Sequence, residues 1–587
     1  MMKKTIILTI LLAGMATLCF SQTDYTVRNA AAWTQAVNGI RSGGNDKDYT
    51  ITVTGTVSVP PAPNNVNTFG SVTGVTVTIA GNGTLSPASN GCLLQIGEGQ
   101  TVVARDVTLR GRSANTASVV DISSGGTFRM EGGATVSGNT EANRNGIGGG
   151  VYVDGDFIMQ DRASVKDNTA RNRNGGGVYV AKGGTLTMQG SASVSGNTAG
   201  DSGGGVYVGE GGTFTMLDRT SVSGNTAGYG GGVYVGEGGT FTVQDGSISG
   251  NILHDDPSNI GGGVYNLGTF TMQGGMISGN TYVGVYNGVV FNDGAINDGI
   301  FTMQGNASVS SNTGYGVCNW GTFTMQDRSS VSGNTGNGVS VFDGTFIMQG
   351  NALISGNTAS FGFGGGVSVS DGTFTMQGNA LISGNTADYG GGVSVSSTHG
   401  TFTMQGSASV SGNTAAFFGG GVYVSGGTFT KTGGTIHGDD AEQKLKNTVI
   451  SSLGHAVYED QNKGWRNATA GPTMNSDGYG FWLNEGDVVL FPSGFAGTWK
   501  RNNFNNTLTI AVNVIKSSSR DVYWVLQRIS GNAYTLKRAD AANTMTLTIR
   551  LTNGNLVISG DSGSGENNWN GTWREYIDTE TGLGRDI

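Results

Sequence analysis

A tyrosine recurs at one position of a repeated segment, and its ring is the side chain there best suited to binding. In most copies the Tyr lies between two valines, as in Val206-Tyr207-Val208, so a strand that turns the valines inward turns the Tyr outward. Exposed flat rings stack on sugars or on partner side chains, which makes this column a candidate ligand-binding stripe. The competing interpretation is that the rings only stack on one another along the sheet surface. The stripe consists of Tyr152, Tyr179, Tyr207, Tyr234, Tyr265 and Tyr286, is interrupted at Cys318, Ser340, Ser368 and Ser394, and resumes at Tyr423.

The charged residues inside the repeats do not form a catalytic constellation. An enzyme that cleaves polysaccharides needs clustered carboxylates, with a cation or a metal, where the repeat is broken. Asp161-Arg162, Asp218-Arg219 and Asp327-Arg328 instead recur at one point of the repeat, which indicates solvated corners. We assign no catalytic residue.

One loop, His254-Asp255-Asp256, combines a histidine with an irregular acidic cluster and is the alternative candidate for a metal site. The chain has four histidines without ligand spacing, and it lacks the calcium-binding nonapeptide repeat. We therefore expect a solvated loop here, and we predict neither a metal nor a cofactor.

An asparagine ends the SGN segment of nearly every copy. At the corner of a coil, Asn tolerates a left-handed backbone, and its amide hydrogen-bonds to the copies above and below. We predict a structural asparagine ladder, since a buried polar corner needs such partners. The ladder positions are Asn139, Asn168, Asn197, Asn225, Asn251, Asn280, Asn312, Asn334, Asn357, Asn385 and Asn413.

These side chains belong to a repeated sequence unit, called here the phrase, that occurs about twelve times between residues 127 and 430. The phrase consists of GTFTMQG, then SGNT, then GGGVYV. The interval between successive phrases is 22 residues at its shortest and grows by an insert after SGNT. A unit of this size cannot bury its own apolar side chains, so it must stack on its copies. Each copy alternates apolar and polar residues with period two, which predicts strands. We expect an all-β chain: a right-handed parallel β-helix of about 12 coils with three strands in each.

Other segments flank the coils. We predict a secretory signal peptide over 1–21, with lipidation at Cys19 as the alternative. An N-terminal cap with the first irregular coils follows over 22–126, and the repeats fill 127–439, where Lys431 takes the place of a core Met and Asp439 that of the ladder Asn. A linker over 440–477, a small antiparallel β-barrel or sandwich over 478–576 and a tail over 577–587 complete the chain.

Composition excludes some classes of partner. Without the leader, 30 basic and 41 acidic residues leave a formal charge of about −11 with no basic run, so nucleic acid is not expected. No later segment has the apolar length of a membrane span. Cys92 and Cys318 lie about seven coils apart, too far for a disulfide, and we expect both to be buried.

The units Gly203-Gly204-Gly205-Val206-Tyr207 and Ser223-Gly224-Asn225-Thr226 resemble those of bacterial right-handed β-helix repeat proteins. They are similar to the repeats of polymorphic outer-membrane autotransporter adhesins, a resemblance that covers 127–439 and implies a surface-exposed or secreted passenger. The chain departs from those adhesins at its end, where the domain is too small for a secretion barrel. Gly497-Thr498-Trp499 and Gly571-Thr572-Trp573 resemble the opening strands of lipocalin-like small β-barrels.

From these features we expect an exported, non-enzymatic β-solenoid at the cell surface or outside the cell, which displays a repetitive surface for adhesion to carbohydrate or host ligands. A polysaccharide lyase or hydrolase of the β-helix type is the alternative. Paired outward threonines, such as Thr213 with Thr215, also resemble the faces of ice-binding proteins, but Thr is common on strand surfaces.

Overall fold

The computed structural model describes residues 23–63, 66–141, 148–254, 261–290, 296–297, 299–450, 454–459, 464–466 and 469, and eight strands between 497 and 575. From residue 464 onward, residue 469 apart, the description covers the backbone alone. The predicted signal peptide and the alternative lipid site at Cys19 lie outside the described residues. The chain divides into two compact units, Met1–Val285 and Tyr286–Ile587, called here the N-terminal and the C-terminal unit.

Parallel strands stacked in register build both units, which together hold about 14 turns of a parallel β-helix. A regular turn supplies one strand to each of three sheets, as predicted. The 12 predicted coils are those of the regular repeats, and further turns lie before residue 127, where we expected the first irregular coils: Thr127–Glu131 pairs with Gln100–Arg105, which pairs with Val75–Ala80.

The N-terminal unit has three long sheets and a short fourth one. Strands of its first sheet, which takes the TFTM segments, are Thr23–Val27, Asp48–Val53, Val75–Ala80, Gln100–Arg105, Thr127–Glu131, Asp156–Met159, Thr185–Met188, Thr213–Met216, Thr240–Val243 and Thr269–Met272. Those of the second sheet are Thr56–Val59, Thr84–Pro87, Thr108–Arg110, Thr135–Ser137, Ser164–Lys166, Ser193–Ser195, Ser221–Ser223, Ser247–Ser249 and Met276–Ser278. The third sheet, with the VYV segments, contains Leu94–Ile96, Val120–Ile122, Val151–Val153, Val178–Val180, Val206–Val208, Val233–Val235 and Val264–Asn266. The fourth sheet is formed by Thr140–Glu141, Thr169–Ala170, Thr198–Ala199, Thr226–Ala227 and Ile252–Leu253.

The C-terminal unit repeats this plan. Its first sheet contains Ile300–Met303, Thr322–Met325, Thr345–Met348, Thr373–Met376, Thr401–Met404 and Thr428–Lys431. The second contains Ser308–Ser310, Ser330–Ser332, Leu353–Ser355, Leu381–Ser383, Ser409–Ser411 and Thr435–Ile436. The third contains Tyr315–Asn319, Val339–Val341, Val367–Val369, Val393–Val395, Val422–Val424, Val457–Glu459 and, antiparallel, Gly464–Arg466. The fourth contains Thr358–Phe363, Thr386–Tyr389, Thr414–Phe418 and Thr448–Val449. Val283–Asn287 runs across the boundary of the units, and Val289–Val290 pairs with Ile296–Asn297.

Eight further strands pair antiparallel in chain order, and the first also pairs with the last, so that their sheet closes. They are Gly497–Arg501, Thr507–Ala511, Val514–Ser517, Tyr523–Ser530, Ala533–Arg538, Thr544–Thr552, Asn555–Gly560 and Gly571–Glu575. The two predicted GTW segments begin the first and last of these strands.

Columns of identical apolar residues fill the interior of the coils. In the C-terminal unit, Phe323, Phe346 and Phe374 are fully buried, and successive ring centroids are 4.8 Å apart. That distance equals the spacing of hydrogen-bonded strands, so the backbone ladder sets the stacking of the rings. Burial of one Phe side chain stabilises the fold by about 1.5–3 kcal/mol, and each coil gains this at the same position.

A helix, Ala30–Gly43, covers the first coil. The Asn29 side chain accepts a hydrogen bond from the amide of Ala32 at its N-terminus, and Trp33, Ala36, Val37 and Ile40 form its buried face. This face packs against the strands Thr23–Val27 and Thr56–Val59. The helix therefore covers the end of the apolar core, as solenoids require.

The asparagine ladder is present and fully buried. The backbone amide and the Nδ2 of Asn225 both donate to Oδ1 of Asn251, at 3.1 and 3.0 Å, and Asn225 Nδ2 also donates to the carbonyl of Val194. The same bonds join Asn334 to Asn357 in the C-terminal unit. Each amide thus satisfies the corner of its own coil and that of a neighbour.

The stack continues past Asp439, where we expected it to end. As predicted, Lys431 lies in the column of core methionines, opposite Met404 of the preceding coil. Its ammonium donates a hydrogen bond to the carbonyl of Gly434 at 2.7 Å. The ladder, however, skips Asp439 and continues at Asn447, whose Oδ1 accepts from Nδ2 of Asn413 at 2.9 Å. Asn447 follows Asn413 after 34 residues, whereas Asn413 follows Asn385 after 28. A search for a constant spacing therefore misses Asn447.

Replacing a ladder residue should destabilise the protein strongly. Asn225→Ala leaves the amide of Asn197 and the carbonyl of Val194 buried without their present partner, which predicts a loss of about 3 kcal/mol in the free energy of unfolding. Urea unfolding would measure this loss. The exposed Asn172→Ala variant is the control from the same unit, with an expected change below about 0.5 kcal/mol; equal losses in both variants would contradict the structural role of the ladder.

Candidate functional site

The tyrosine stripe forms as the alternation of the strands predicts. Tyr152, Tyr179, Tyr207, Tyr234 and Tyr265 lie opposite one another in the third sheet of the N-terminal unit. Successive ring centroids are 5.6, 4.7, 5.0 and 5.3 Å apart, with interplanar angles between 4° and 17°. One continuous stack of parallel rings results.

The rings of the stripe are less exposed than we expected. Tyr152 to Tyr234 are half-buried, and Tyr265 and Tyr286 are only 5% and 9% exposed. The glycine segment runs close to the backbone of the strand, since a Cβ at Gly203 would lie 2.8 Å from the backbone of Tyr207. Because each ring also stacks on its neighbours, the ring faces inside the stack are occupied, and a ligand meets ring edges and hydroxyl groups.

Burial keeps these hydroxyl groups protonated. It raises the pKa of Tyr207 to about 12, and it also raises the pKa of Tyr179 and of Tyr234. A neutral phenol both donates and accepts hydrogen bonds. The stripe is therefore an uncharged row of hydroxyl groups, set on rings that the coil spacing holds in place.

Two carboxylates lie at the N-terminal end of the stripe. Asp121 occupies the position of the tyrosines in the preceding coil, directly opposite Tyr152. Burial, and then the nearby charge of Asp154, raise the pKa of Asp121 to about 6. Sequence reasoning missed this pair, because Asp121 belongs to an irregular coil in which the VYV phrase is not recognisable.

The charged corners are structural. Asp161, Asp218 and Asp327 adopt φ angles of 58°, 53° and 58°, a left-handed conformation that Gly190 adopts at the same corner with a φ of 70°. Each carboxylate accepts a hydrogen bond from the backbone amide of the preceding coil: Gly132 at 2.9 Å, Gly190 at 2.8 Å and Gly305 at 3.0 Å. We predicted solvated corners, and the structure shows in addition that the Asp of each pair links two coils.

The remaining candidates take up structural positions. His254 places a ring nitrogen 2.9 Å from the carbonyl oxygen of Ala199, while Asp255 and Asp256 lie outside the described residues. Within the described part of the chain, no group of three or more His, Cys, Asp or Glu side chains is placed to hold a metal ion. Cys92 and Cys318 are both free and buried, and burial raises the pKa of each thiol.

Two further features escaped the sequence analysis. The glutamine that follows TFTM forms a second ladder: Nε2 of Gln349, Gln377 and Gln405 each donates to Oε1 in the preceding coil, at 3.1, 2.8 and 2.6 Å. The inserts of the C-terminal unit carry a group of aromatic rings on its fourth sheet. The recurring TMQ segment was the signal that could have predicted the glutamine ladder. The group of aromatic rings depends on residues that differ from coil to coil, so no repeated pattern indicates it.

No protein-family model, curated protein or solved structure matches this chain. Across the described residues, no helix is both long and apolar enough to cross a membrane.

The corner Asp should matter for stability through its backbone and its hydrogen bond. Asp218→Ala places an ordinary side chain in a left-handed conformation and removes the acceptor of the Gly190 amide, which predicts a loss of about 2 kcal/mol in the free energy of unfolding. Asp218→Gly relieves the backbone strain and should lose only about 1 kcal/mol. Urea unfolding would give both values. Arg219→Ala at the exposed neighbouring position is the control, and a loss with this variant as large as with Asp218→Ala would contradict the assignment.

The raised pKa of Asp121 predicts a pH effect on stability. The folded protein holds the proton of Asp121 up to about pH 6, while the unfolded chain releases it near pH 4, so this group's contribution to stability falls as the pH rises from about 4 to 6. Asn does not ionise, so the Asp121→Asn variant avoids this loss of stability. At pH 7 its free energy of unfolding should exceed that of the wild type by about 1–2 kcal/mol, whereas at pH 4 the two should be equal. Urea unfolding at the two pH values tests this, with the exposed Asp48→Asn as control. An equal effect of Asp121→Asn at both pH values would contradict the prediction.

Proposed function

We propose that this protein is exported and displays the repeated surface of its coils for adhesion, binding carbohydrate or host-surface ligands without cleaving them. The observation that carries the proposal is the stripe in the N-terminal unit, where five tyrosines stand in register and four consecutive ones are half-exposed. A row of identical groups suits a ligand that is itself repetitive.

The chemistry of the stripe favours hydroxyl-rich partners. The ring faces are stacked, and the phenols stay neutral because burial raises their pKa. A single neutral hydrogen bond contributes about 0.5–1.5 kcal/mol. When one polymer contacts several coils at once, these contributions add up. The later contacts do not repeat the entropic cost of association, as in other multivalent binding.

Export is supported by the N-terminal sequence and suits the fold. Lys3 and Lys4 precede an apolar run from Ile6 to Leu12, the pattern of a secretory leader. The coils are joined by backbone ladders, buried Phe columns and side-chain ladders, so their stability comes from stacking alone.

The test is binding by the purified chain from Gln22 onward to a glycan array. Changing Tyr179, Tyr207 and Tyr234 together to Phe removes three hydroxyl groups and keeps the ring stack, and we expect affinity to fall about tenfold or more. The same tyrosines changed to Ser should abolish binding. Isothermal titration with the best glycan on the array would give the affinities.

The matched control replaces Thr187, Thr215 and Thr242, outward residues of adjoining coils on the first sheet, by Ala. This variant should bind as the wild type does. Equal losses in the threonine and tyrosine variants would overturn the assignment to the stripe, and shortened glycans in the reaction mixture would show cleavage and overturn the non-enzymatic function.

A further inference from the structure

A cluster of aromatic side chains gathers at one corner of the C-terminal unit. Phe363 stacks on Tyr389 with ring centroids 5.0 Å apart, Tyr389 contacts Phe417 and Tyr423 at 5.2 Å each, and Phe418 stacks on Tyr458 at 4.3 Å. We call these residues the aromatic corner: Phe363, Tyr389, Phe417, Phe418, Tyr423 and Tyr458.

The coil does not need these rings in order to close. Thr322–Met325, Ser330–Ser332 and Val339–Val341 complete a turn with no strand in the fourth sheet. Phe363, Tyr389, Phe417 and Phe418 all lie on inserted strands that are additions to such a turn. Closure of a turn therefore does not require the inserted strands or their aromatic side chains.

The inserts also supply rings where the tyrosine column lacks them. In this unit the column has Ser368 and Ser394 in the two coils before Tyr423. Phe363 and Tyr389, from the inserts of those coils, approach the ring of Tyr423 to 6.1 and 5.2 Å. Ser394 is completely buried, which fits with rings that cover the small residues.

Unlike the tyrosine stripe, the aromatic corner exposes apolar surface. Phe363 and Phe417 are 43% and 47% exposed, and Ile450, which follows the last strand of the fourth sheet, is 75% exposed. Phe417 is tilted by 33° against Tyr389, so these two rings do not cover each other's faces as the rings of the stripe do. Exposed aromatic groups of this kind mark interaction sites.

Charge and size indicate the kind of partner. The strands Thr358–Phe363, Thr386–Tyr389 and Thr414–Phe418 carry one charged residue, Asp388, and no cation, so they offer nothing to an acidic polymer. The four strands hold 17 residues in all, which cover roughly 270 Å² at about 3.3 Å per residue and about 4.8 Å between strands, a third of the roughly 800 Å² that each partner buries in a stable protein interface. A few sugar rings fit on such an area, whereas a second copy of this chain would find too little contact.

We infer that the aromatic corner binds a neutral polysaccharide, with sugar rings packed on Phe363 and Phe417. This inference rests on the proposed function and gives it a second, chemically distinct site. Sugar C–H groups meet ring faces at the corner, while the stripe offers hydroxyl groups and ring edges.

Affinity electrophoresis of the full mature chain tests the inference, with soluble xylan, galactomannan and mixed-linkage β-glucan as neutral probes and polygalacturonate as the acidic probe. We expect at least one neutral probe to retard the protein and polygalacturonate to leave it unaffected. Phe363→Ser with Phe417→Ser should weaken retardation about tenfold or more. Both residues are exposed, and circular dichroism would verify that the double variant folds.

The variant with Tyr179, Tyr207 and Tyr234 changed to Phe separates this inference from the proposed function. Retardation lost with the tyrosine variant and kept with the double Phe variant would overturn the aromatic corner and leave the stripe as the site. Loss with the double Phe variant alone supports the corner. No retardation by any neutral probe, or stronger retardation by polygalacturonate, overturns the inference. A wild-type dimer in size-exclusion chromatography that the double Phe variant abolishes overturns it as well, because the corner would then be an interface between copies of the chain.

Discussion

The spacing of hydrogen-bonded parallel strands, about 4.8 Å, is the constraint on which the structure of the coils depends. In the regular coils of each unit, most strand side chains face a near copy of themselves at this distance, above and below. Phe rings stack at 4.8 Å, and asparagine and glutamine amides bond to their own kind. A residue that repeats along a column therefore has to pack against its own copy or hydrogen-bond to it.

This condition explains where charge is found. A column of carboxylates would repel itself, and Asp121 beside Asp154 shows the effect of a single close pair, since the charge of Asp154 adds to burial in raising the pKa of Asp121. The corner Asp residues avoid the problem because the same corner in the intervening coil is a Gly, as Gly190 is between Asp161 and Asp218. Their carboxylates accept hydrogen bonds from backbone amides of the preceding coil.

Periodic residues made the fold predictable, and irregular ones limited the prediction of the sites. Phe, Val and Asn at fixed spacing gave the strands, the core and the ladder, since each depends only on alternation and repetition. The continuation of the ladder at Asn447 lay beyond a search by spacing, because the geometry of the corner persists there while the repeated phrase does not. Register placed the tyrosines opposite one another, but whether their faces are open depends on ring tilt and on the neighbouring loops, which alternation does not encode. In the aromatic corner, Phe363 and Tyr389 lie opposite each other only because the register shifts between their inserted strands, which alternation and repetition do not predict.

The asparagine ladder also gives the stack a direction. Within each unit the Nδ2 of one Asn donates to the Oδ1 of the Asn in the following coil, from Asn168 to Asn197 to Asn225 and from Asn334 to Asn357 to Asn385. The side-chain amide dipoles therefore point the same way and polarise one another, as chains of hydrogen bonds do. A coil that was duplicated or lost as a whole would enter or leave this line without reversing a single bond, so the ladder favours changes in the length of the protein by complete turns.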